Sequence, residues 1–331
     1  MSFKGDISVN KKVRWGIVGA GRIAHTFAKD IAHTKSAELV AVAARSLGNA
    51  TSFASEYDIE KQYGNYDELY HDADVDAIYI ATPHNLHVQQ VLDALKAGKH
   101  VLCEKPVTVS AAECEELIAC AKSMNCFFME AMWTYFLPAV VQAKRWVEQG
   151  RIGQIRHVKS DFGYPLPYDP DRREYDAALA GGCLLEMGVY PVAMAHMFIQ
   201  EDLLQHYSSV KLAPNGVETD VSTIITYPNA IATIGSSFSA KLQNWTYVIG
   251  TDGYIAIPDF WRADKCYLYK LDEQVDAFFD GRTTLGFDYQ IESASCDILA
   301  GKIQSDVVPH SASLRFQRLM ELIKTEWNCL G

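Results

Sequence analysis

The residues most able to support chemistry lie at Gly19–Ala24, which fit the spacing G-x-G-x-x-G/A. An apolar run typical of a strand, Val13–Val18, precedes them, and apolar residues at helical spacing follow. A turn of this kind lets the backbone approach a pyrophosphate, which free N–H groups at the helix N-terminus can bind. The motif predicts dinucleotide binding, with a glycine turn that holds no ligand as the alternative. The residues expected to bind are Gly19, Gly21, Arg22 and Ile23.

The end of the second predicted strand, 38–44, bears on the choice of cofactor. An acidic residue at this point would bind the ribose 2′-hydroxyl of NAD, but here Arg45 and Ser46 follow. A guanidinium can pair with a 2′-phosphate, and a hydroxyl can donate to it. We therefore expect NADP, with NAD possible; in the alternative interpretation Arg45 is a solvated loop charge.

Length and charge limit the classes of protein and partner. A chain of 331 residues with 49% hydrophobic residues is long enough for two domains. Its net charge of −11 argues against nucleic acid or an anionic membrane as the main partner. We expect no signal segment in residues 1–12 and no membrane span, because no apolar run approaches about 18 residues.

The cysteines and histidines predict reduced thiols and no metal site. Eight cysteines are spread along the chain without a C-x-x-C pair, which favours a cytoplasmic protein. His84 and His87 form H-x-x-H, but no further ligand stands at a suitable spacing.

The hydrophobic pattern predicts an α/β fold in two parts. Strands alternate with helices over 1–128, which predicts a doubly wound parallel sheet of the Rossmann type that binds a dinucleotide. Strands then follow one another with few helices over 129–309, which predicts an open, mainly antiparallel sheet. A last amphipathic helix is expected at about 310–328.

Four segments carry a resemblance to a known family. They read ATPHNLH at 81–87, GKHVLCEKP at 98–106, MEAMWTYFLPAV at 129–140 and AGGCLLEMGVYPV at 180–192. With the glycine motif, they resemble the glucose–fructose oxidoreductase and inositol dehydrogenase (Gfo/Idh/MocA) family. The last two are similar to the branch with dimeric dihydrodiol dehydrogenase and NADP-dependent D-xylose dehydrogenase. The resemblance covers about residues 12–325.

The resemblance implies two catalytic residues, Lys105 of the EKP triplet and Tyr190 as the proton donor. Glu186 and Tyr190 are four apart and so share a helix face. A free tyrosine has a pKa of about 10, and a nearby ammonium such as that of Lys105 would lower it. The alternatives are an exposed loop lysine, a core tyrosine and a glutamate that favours a helix N-terminus.

The resemblance also implies the residues around the nicotinamide and the substrate. The cofactor is expected against Thr82, Pro83, Asn85, His87, Glu104 and Lys105. The substrate, bound by the second part of the chain, is expected against Trp133 and Glu186. Apart from the resemblance, Tyr164 and Arg172 are expected to contact it from a polar-aromatic loop that also holds Arg173 and Tyr175, with a surface loop as the alternative. Two positions depart from the branch: Glu186 stands where aspartate is usual, and Asn49 where NADP-dependent members often have a second arginine.

The predicted function is hydride transfer between NADP and a CH–OH group of a sugar, polyol or cyclic trans-diol. The alternative is a non-catalytic NADP-binding regulatory or sensor protein of the same fold. The resemblance further implies a homodimer or homotetramer formed through the open sheet. It also implies that the last helix packs back on the first domain.

Overall fold

The computed structural model describes residues 11–328, with side chains up to residue 325. Residues 1–10 lie outside the described residues, as does Cys329. The first ten residues belong to the predicted domain 1–128 and to the segment 1–12, in which no signal sequence is expected.

The first sheet is parallel throughout, with the strand order β3-β2-β1-β4-β5-β6. Its strands are buried runs, and the order reverses between β1 and β4, where open α/β sheets bind ligands. The predicted doubly wound sheet is confirmed. The strands are β1 (Val13–Val18), β2 (Ala37–Ala43), β3 (Lys61–Tyr63), β4 (Ala77–Ile80), β5 (His100–Cys103) and β6 (Phe128–Glu130). The helices between them are α1 (Arg22–Ile31), α2 (Leu47–Glu56), α3 (Tyr66–Tyr70), α4 (His87–Lys96) and α5 (Ala111–Met124).

The second sheet has eight strands in the order β14-β13-β12-β11-β7-β10-β9-β8. Only β7 and β10 pair in parallel, so the predicted mainly antiparallel sheet is confirmed. The strands are β7 (Ile155–Gly163), β8 (Gln205–Leu212), β9 (Glu218–Thr226), β10 (Ile231–Ser237), β11 (Thr246–Gly250), β12 (Tyr254–Ile257), β13 (Lys265–Lys270) and β14 (Glu273–Phe279).

Four further helices follow, α6 (Pro138–Glu148), α7 (Val189–Phe198), α8 (Phe287–Leu299) and α9 (His310–Asn328). Of these, α6 and α7 pack on the second sheet, α9 contacts its edge strand β8, and α8 packs on the first half. Helix α8 lies against β1, where Trp15 Nε1 donates to Ser295 Oγ at 3.0 Å. Helix α9 lies against α5, where the Ala111 N–H donates to Glu321 Oε1 at 2.7 Å, and against α7. The predicted boundary at residue 128 stays a prediction, and β6 continues to Glu130.

One segment, Ala177–Phe198, is long and apolar enough by composition to span a membrane. Its most apolar window is 61% buried inside the protein, as in the core helix of a globular domain. Helix α7 forms the end of this segment and packs against β7 and β10.

Candidate active site

The glycine motif forms the turn between β1 and α1. Gly19 has a φ of +97°, and a Cβ there would lie 3.0 Å from Thr82 Cγ2 and 3.1 Å from the Ala81 carbonyl oxygen. Backbone conformation and space therefore both require glycine. A Cβ at Gly21 would lie 4.0 Å from the nearest protein atom, the same Ala81 oxygen, so room remains above this residue.

The N-terminus of α1 is open to an anion. Gly21 and Arg22 are exposed, and no side chain of the described residues caps this end of the helix. The first turn, all of it described, contains no acidic residue. Free N–H groups and the positive end of the helix dipole therefore fit a pyrophosphate. Ile23 is partly buried in the same turn.

At the end of β2, Arg45 and Ser46 are exposed as the predicted 2′-phosphate site requires. Ser46 is also the N-cap of α2, where its Oγ accepts from the Asn49 N–H at 3.4 Å. This contact uses a lone pair of the hydroxyl and leaves its proton free to donate.

The turn after β4 brings two histidines to the inner edge of the sheet. His87 is buried, with Nε2 2.9 Å from the Thr82 carbonyl oxygen and Nδ1 3.0 Å from that of Pro106. Burial lowers the pKa of His87 to about 4, so its ring is neutral near pH 7. It lies between two loops that are predicted to contact the cofactor, and as a neutral ring it donates to only one of their carbonyl oxygens. Pro83 and Asn85 are exposed on the same turn.

The loop after β5 carries Glu104 and Lys105. Glu104 is buried and accepts from Tyr79 Oη at 2.5 Å and from the Lys105 N–H at 3.2 Å. Burial raises the pKa of Glu104. A cis peptide bond follows Lys105, whose Nζ donates to the Glu186 carbonyl oxygen at 2.9 Å.

Tyr190 lies in the first turn of α7, which continues from a π-helical turn at Leu184–Gly188. Turns of this kind are frequent at functional sites. Tyr190 is 6% exposed, and its Oη accepts a hydrogen bond from Trp133 Nε1 at 3.1 Å. The Lys105 Nζ lies 5.0 Å from the centroid of its ring. The structure thus brings together Lys105, Trp133, Glu186 and Tyr190, which three distant segments supply.

The electrostatics differ from the sequence prediction at Tyr190. Burial raises the pKa of Tyr190 well above its ordinary value, and Glu104 and Glu186 raise it further. The expectation that Lys105 lowers this pKa is wrong for this structure. The ammonium lies over the ring face and donates to a backbone oxygen instead of approaching the hydroxyl.

Glu186 is ionised despite its burial. Burial alone would raise its pKa, but the charges of Lys105, His84 and Arg173 outweigh that effect and lower it. The Arg173 Nη1 forms an ion pair with Glu186 Oε1, and His84 Nε2 lies 3.4 Å from the same oxygen. The site therefore holds a fixed carboxylate next to an amine and a phenol.

The comparisons with known proteins decide the family. The Gfo/Idh/MocA model, described as an oxidoreductase family with an NAD-binding Rossmann fold, matches residues 13–132. The C-terminal domain of the same family matches residues 140–256. The chain belongs to the Gfo/Idh/MocA oxidoreductase family. Its first half is an NAD-binding Rossmann domain, as predicted.

Relatives within this family align over most of the chain. The mouse (Mus musculus) trans-1,2-dihydrobenzene-1,2-diol dehydrogenase is 36% identical over 323 residues, which cover 93% of this chain and 95% of the relative. The bovine (Bos taurus) enzyme of the same name is also 36% identical, over 94% of this chain and 96% of its own.

Solved structures share the fold of this family member. KijD10, a 3-ketoreductase from Actinomadura kijaniata in complex with NADP and TDP-benzene, has a TM-score of 0.84 at 25% identity, covering 95% of this chain and 98% of its own. The aldose–aldose oxidoreductase from Caulobacter crescentus has a TM-score of 0.87 at 24% identity, over 95% and 97% of the two chains.

Two predicted substrate residues of this Gfo/Idh/MocA protein lie farther from Tyr190. Arg172 is exposed and lies 3.7 Å from the carboxylate of Glu174. Tyr164 makes an edge-to-face contact with Phe162, with ring centroids 5.8 Å apart, and the Phe162 ring lies 5.4 Å from that of Tyr190, so Tyr164 is one ring removed from the site. From this loop Arg173, and not Arg172, contacts the site, through its ion pair with Glu186.

Sequence reasoning missed Trp261, which lies in a short turn before β13. Its ring lies 6.0 Å from Trp133 and 6.4 Å from Tyr190, and its buried Nε1 has no hydrogen-bond partner among the described residues. Phe162 was missed as well, because it reads as an ordinary strand residue. Nothing in the spacing of either residue points to the site.

Within the part of the chain that the structure describes, no group of three His, Cys, Asp or Glu side chains could hold a metal. His84 and His87 stand 6.3 Å apart, centroid to centroid, and both contact backbone oxygens. The seven cysteines among these residues are free thiols.

Proposed function

We propose that this chain catalyses reversible hydride transfer between NADP and a CH–OH carbon of a neutral vicinal diol: a cyclic trans-diol, a sugar or a polyol. The observation that carries the proposal is the convergence of Lys105 with Tyr190 from the other half of the chain. When bound, the nicotinamide supplies or accepts the hydride. Thr82, Pro83, Asn85, His87 and Glu104 are the residues that would hold its ring.

Tyr190 handles the proton in this proposal. Because burial keeps its phenol protonated, it is suited to donate a proton to a carbonyl oxygen during reduction near neutral pH. In the oxidative direction it must accept the proton of the substrate hydroxyl, which becomes easier as the pH rises. The positive charge of Lys105 would stabilise negative charge that develops on the substrate oxygen in both directions.

The surroundings of Tyr190 favour a substrate with an apolar face and two adjacent hydroxyls. Trp133, Trp261 and Phe162 provide aromatic surface on one side. Glu186 provides a fixed carboxylate that can accept from the second hydroxyl while Tyr190 acts on the first. The dihydrobenzenediol in the names of the mouse and bovine relatives has an apolar ring and two adjacent hydroxyls.

The preference for NADP rests on Arg45 and Ser46. Both are exposed where the 2′-phosphate of the adenosine ribose would lie, and the structurally similar KijD10 was crystallised with NADP. NAD lacks this phosphate and would bind without those contacts.

We further propose that the protein is a cytoplasmic homodimer or homotetramer formed through the outer face of the second sheet. Tyr207, Ile224 and Ile231, on adjacent strands, are 62%, 50% and 36% exposed on that face. A second copy would cover this apolar patch. Sedimentation of the wild type and of Ile224→Lys tests this, because the variant is expected to form a smaller assembly.

The proposed cytoplasmic location rests on the cysteines. The free thiols among the described residues favour a reducing compartment.

The replacement Tyr190→Phe tests the function. We expect it to bind NADPH as the wild type does but to lose at least about 100-fold in kcat. Tyr70→Phe is a matched control, because it also removes a buried tyrosine hydroxyl, one without a partner among the described residues. Near wild-type turnover by Tyr190→Phe would refute the role of Tyr190. Wild-type protein that binds NADPH but turns over no sugar, polyol or diol would instead indicate the regulatory alternative.

A further inference from the structure

Glu130 is a buried carboxylate that the proposed mechanism does not use. It is the last residue of β6 and is 1% exposed. Its Oε1 accepts from the Val107 N–H at 3.0 Å, and the Ser313 hydroxyl lies near the carboxyl group. A carboxylate kept in such a place costs folding free energy, which an apolar residue of similar size would not.

The contact to Val107 completes a set of bonds along the loop that carries Lys105. The Lys105 N–H donates to Glu104 Oε2, and the Pro106 carbonyl oxygen lies 3.0 Å from His87 Nδ1. With Glu130, each of the three consecutive residues Lys105, Pro106 and Val107 has a backbone group held by a side chain.

Glu130 also connects this loop to the substrate side of the site. The chain runs from Glu130 directly to Trp133, whose indole donates to Tyr190 Oη. The intervening Ala131 N–H donates to the Cys103 carbonyl oxygen at 2.7 Å, which keeps β5 and the segment after β6 in register. Glu130 therefore links the loop that carries Lys105 to the segment that carries Trp133, the hydrogen-bond donor to Tyr190.

We propose that Glu130 is a positioning residue, which sets the Lys105 loop at the correct place relative to Tyr190 by accepting the Val107 hydrogen bond. Its effect on turnover rests on the proposed function, but its effect on the placement of Lys105 does not. Misplacement by about 1 Å of a group that acts in the reaction can cost about 100-fold in rate.

The charges around Glu130 agree with a structural attachment of the loop. Burial raises the pKa of Glu130 to about 7, while the nearby Ser313 hydroxyl, the Val107 N–H and Lys105 lower it and Glu104 raises it. The other titratable groups that face it are neutral thiols and a neutral phenol, those of Cys103, Cys114 and Tyr135. Among these groups, Lys105 is the cation whose charge lowers the pKa of Glu130.

The test compares Glu130→Leu with Glu130→Gln. Leucine fills the space but cannot accept from Val107, whereas glutamine keeps an acceptor oxygen. We expect Glu130→Leu to lose about 10- to 100-fold in kcat with little change in KM for NADP, and Glu130→Gln to recover most of the loss. A second readout needs no turnover: the rate at which acetic anhydride acetylates Lys105, measured by peptide mass spectrometry relative to the exposed Lys29. This ratio should change several-fold in Glu130→Leu and return toward wild type in Glu130→Gln.

Glu292→Leu is the matched control. Its carboxylate also holds loop N–H groups, those of Lys35 and Ser36 at 2.8 and 3.0 Å, but on α8. It should leave both readouts unchanged. An unaltered acetylation ratio in Glu130→Leu, or a glutamine variant as impaired as the leucine variant, would overturn the proposal. If the wild type turned over no diol but the acetylation ratio changed as expected, only the proposed function would fail.

Discussion

The cofactor side and the substrate side of the site are held in place by different means. On the cofactor side, backbone groups dominate: Gly19 in a turn, an open helix N-terminus and a loop fixed by Glu104, His87 and Glu130. On the substrate side, long side chains from distant segments meet, as in the pair of Trp133 and Tyr190. The first arrangement depends on local sequence, whereas the second depends on how the loops pack.

The largest effect is expected on the cofactor side, at Gly19. An alanine there would hold a non-glycine residue at a φ of +97° and place a Cβ 3.0 Å from Thr82. We expect a loss of about 2–3 kcal/mol in the free energy of unfolding. Chemical denaturation measures this, and fluorescence titration with NADPH should show binding weakened at least about 100-fold.

Gly21→Ala is the comparison variant, because its Cβ meets protein only at 4.0 Å. It should fold with wild-type stability and lose affinity for NADPH alone, since the methyl group would occupy space reserved for the pyrophosphate. Equal losses of stability in the two variants would show that the backbone account of this turn is wrong.

On the substrate side, Arg173→Ala should raise KM for the diol by about 10-fold or more and leave NADPH affinity near that of the wild type. The change removes the closest cation from a carboxylate that is 15% exposed, so Glu186 becomes free to turn toward Lys105. Arg172→Ala provides the control, because the Arg172 side chain is exposed and pairs with Glu174 instead of Glu186. Steady-state kinetics with both substrates varied separates the two constants. Similar kinetics for both variants would show that the loop does not act through this ion pair.

These two neighbouring arginines show where sequence reasoning stops. The polar-aromatic loop holds both arginines and the sequence prediction singles out Arg172, but the short helical turn at 173–175 directs Arg173 to Glu186. Which of two adjacent side chains faces a site depends on the turn of a loop, and charge and spacing do not reveal it. Trp261 could not be predicted for the same reason, since the packing of β12 and β13 brings it to Tyr190.

The fold could be predicted more completely because buried strands leave a strong pattern. The continuous apolar runs of β1, β4 and β5 predict a parallel sheet, and the structure confirms it. The edge strands β8 and β14 of the second sheet were missed. Most of their residues are exposed or half-buried, so the run of apolar residues that marks the inner strands is absent there.

The dependence of the cofactor side on buried carboxylates predicts a response to pH. Glu130 has a pKa of about 7 in the folded protein, above the ordinary 4.5. Folding therefore takes up a proton between these values, and the free energy of unfolding should fall as pH rises from 4.5 through 7, by up to about 3 kcal/mol. Denaturation at several pH values should show a shallower slope for Glu130→Gln. An unchanged slope would assign the effect to the other carboxyls whose pKa burial raises, those of Glu104, Asp161 and Glu218.

The smallest effect is expected at the exposed rim of the cofactor side. Arg45→Ala should weaken NADP binding by about tenfold and leave NAD binding nearly unchanged, because only NADP has a phosphate for the guanidinium to pair with. The loss is modest because Arg45 is exposed, and water screens the ion pair. Titrations at low and high salt separate this electrostatic contribution, since the difference between NADP and NAD should shrink with added salt. Equal losses for both cofactors would mean that Arg45 contacts the adenosine that they share, and the choice between cofactors would then depend on Ser46 or the N-terminus of α2.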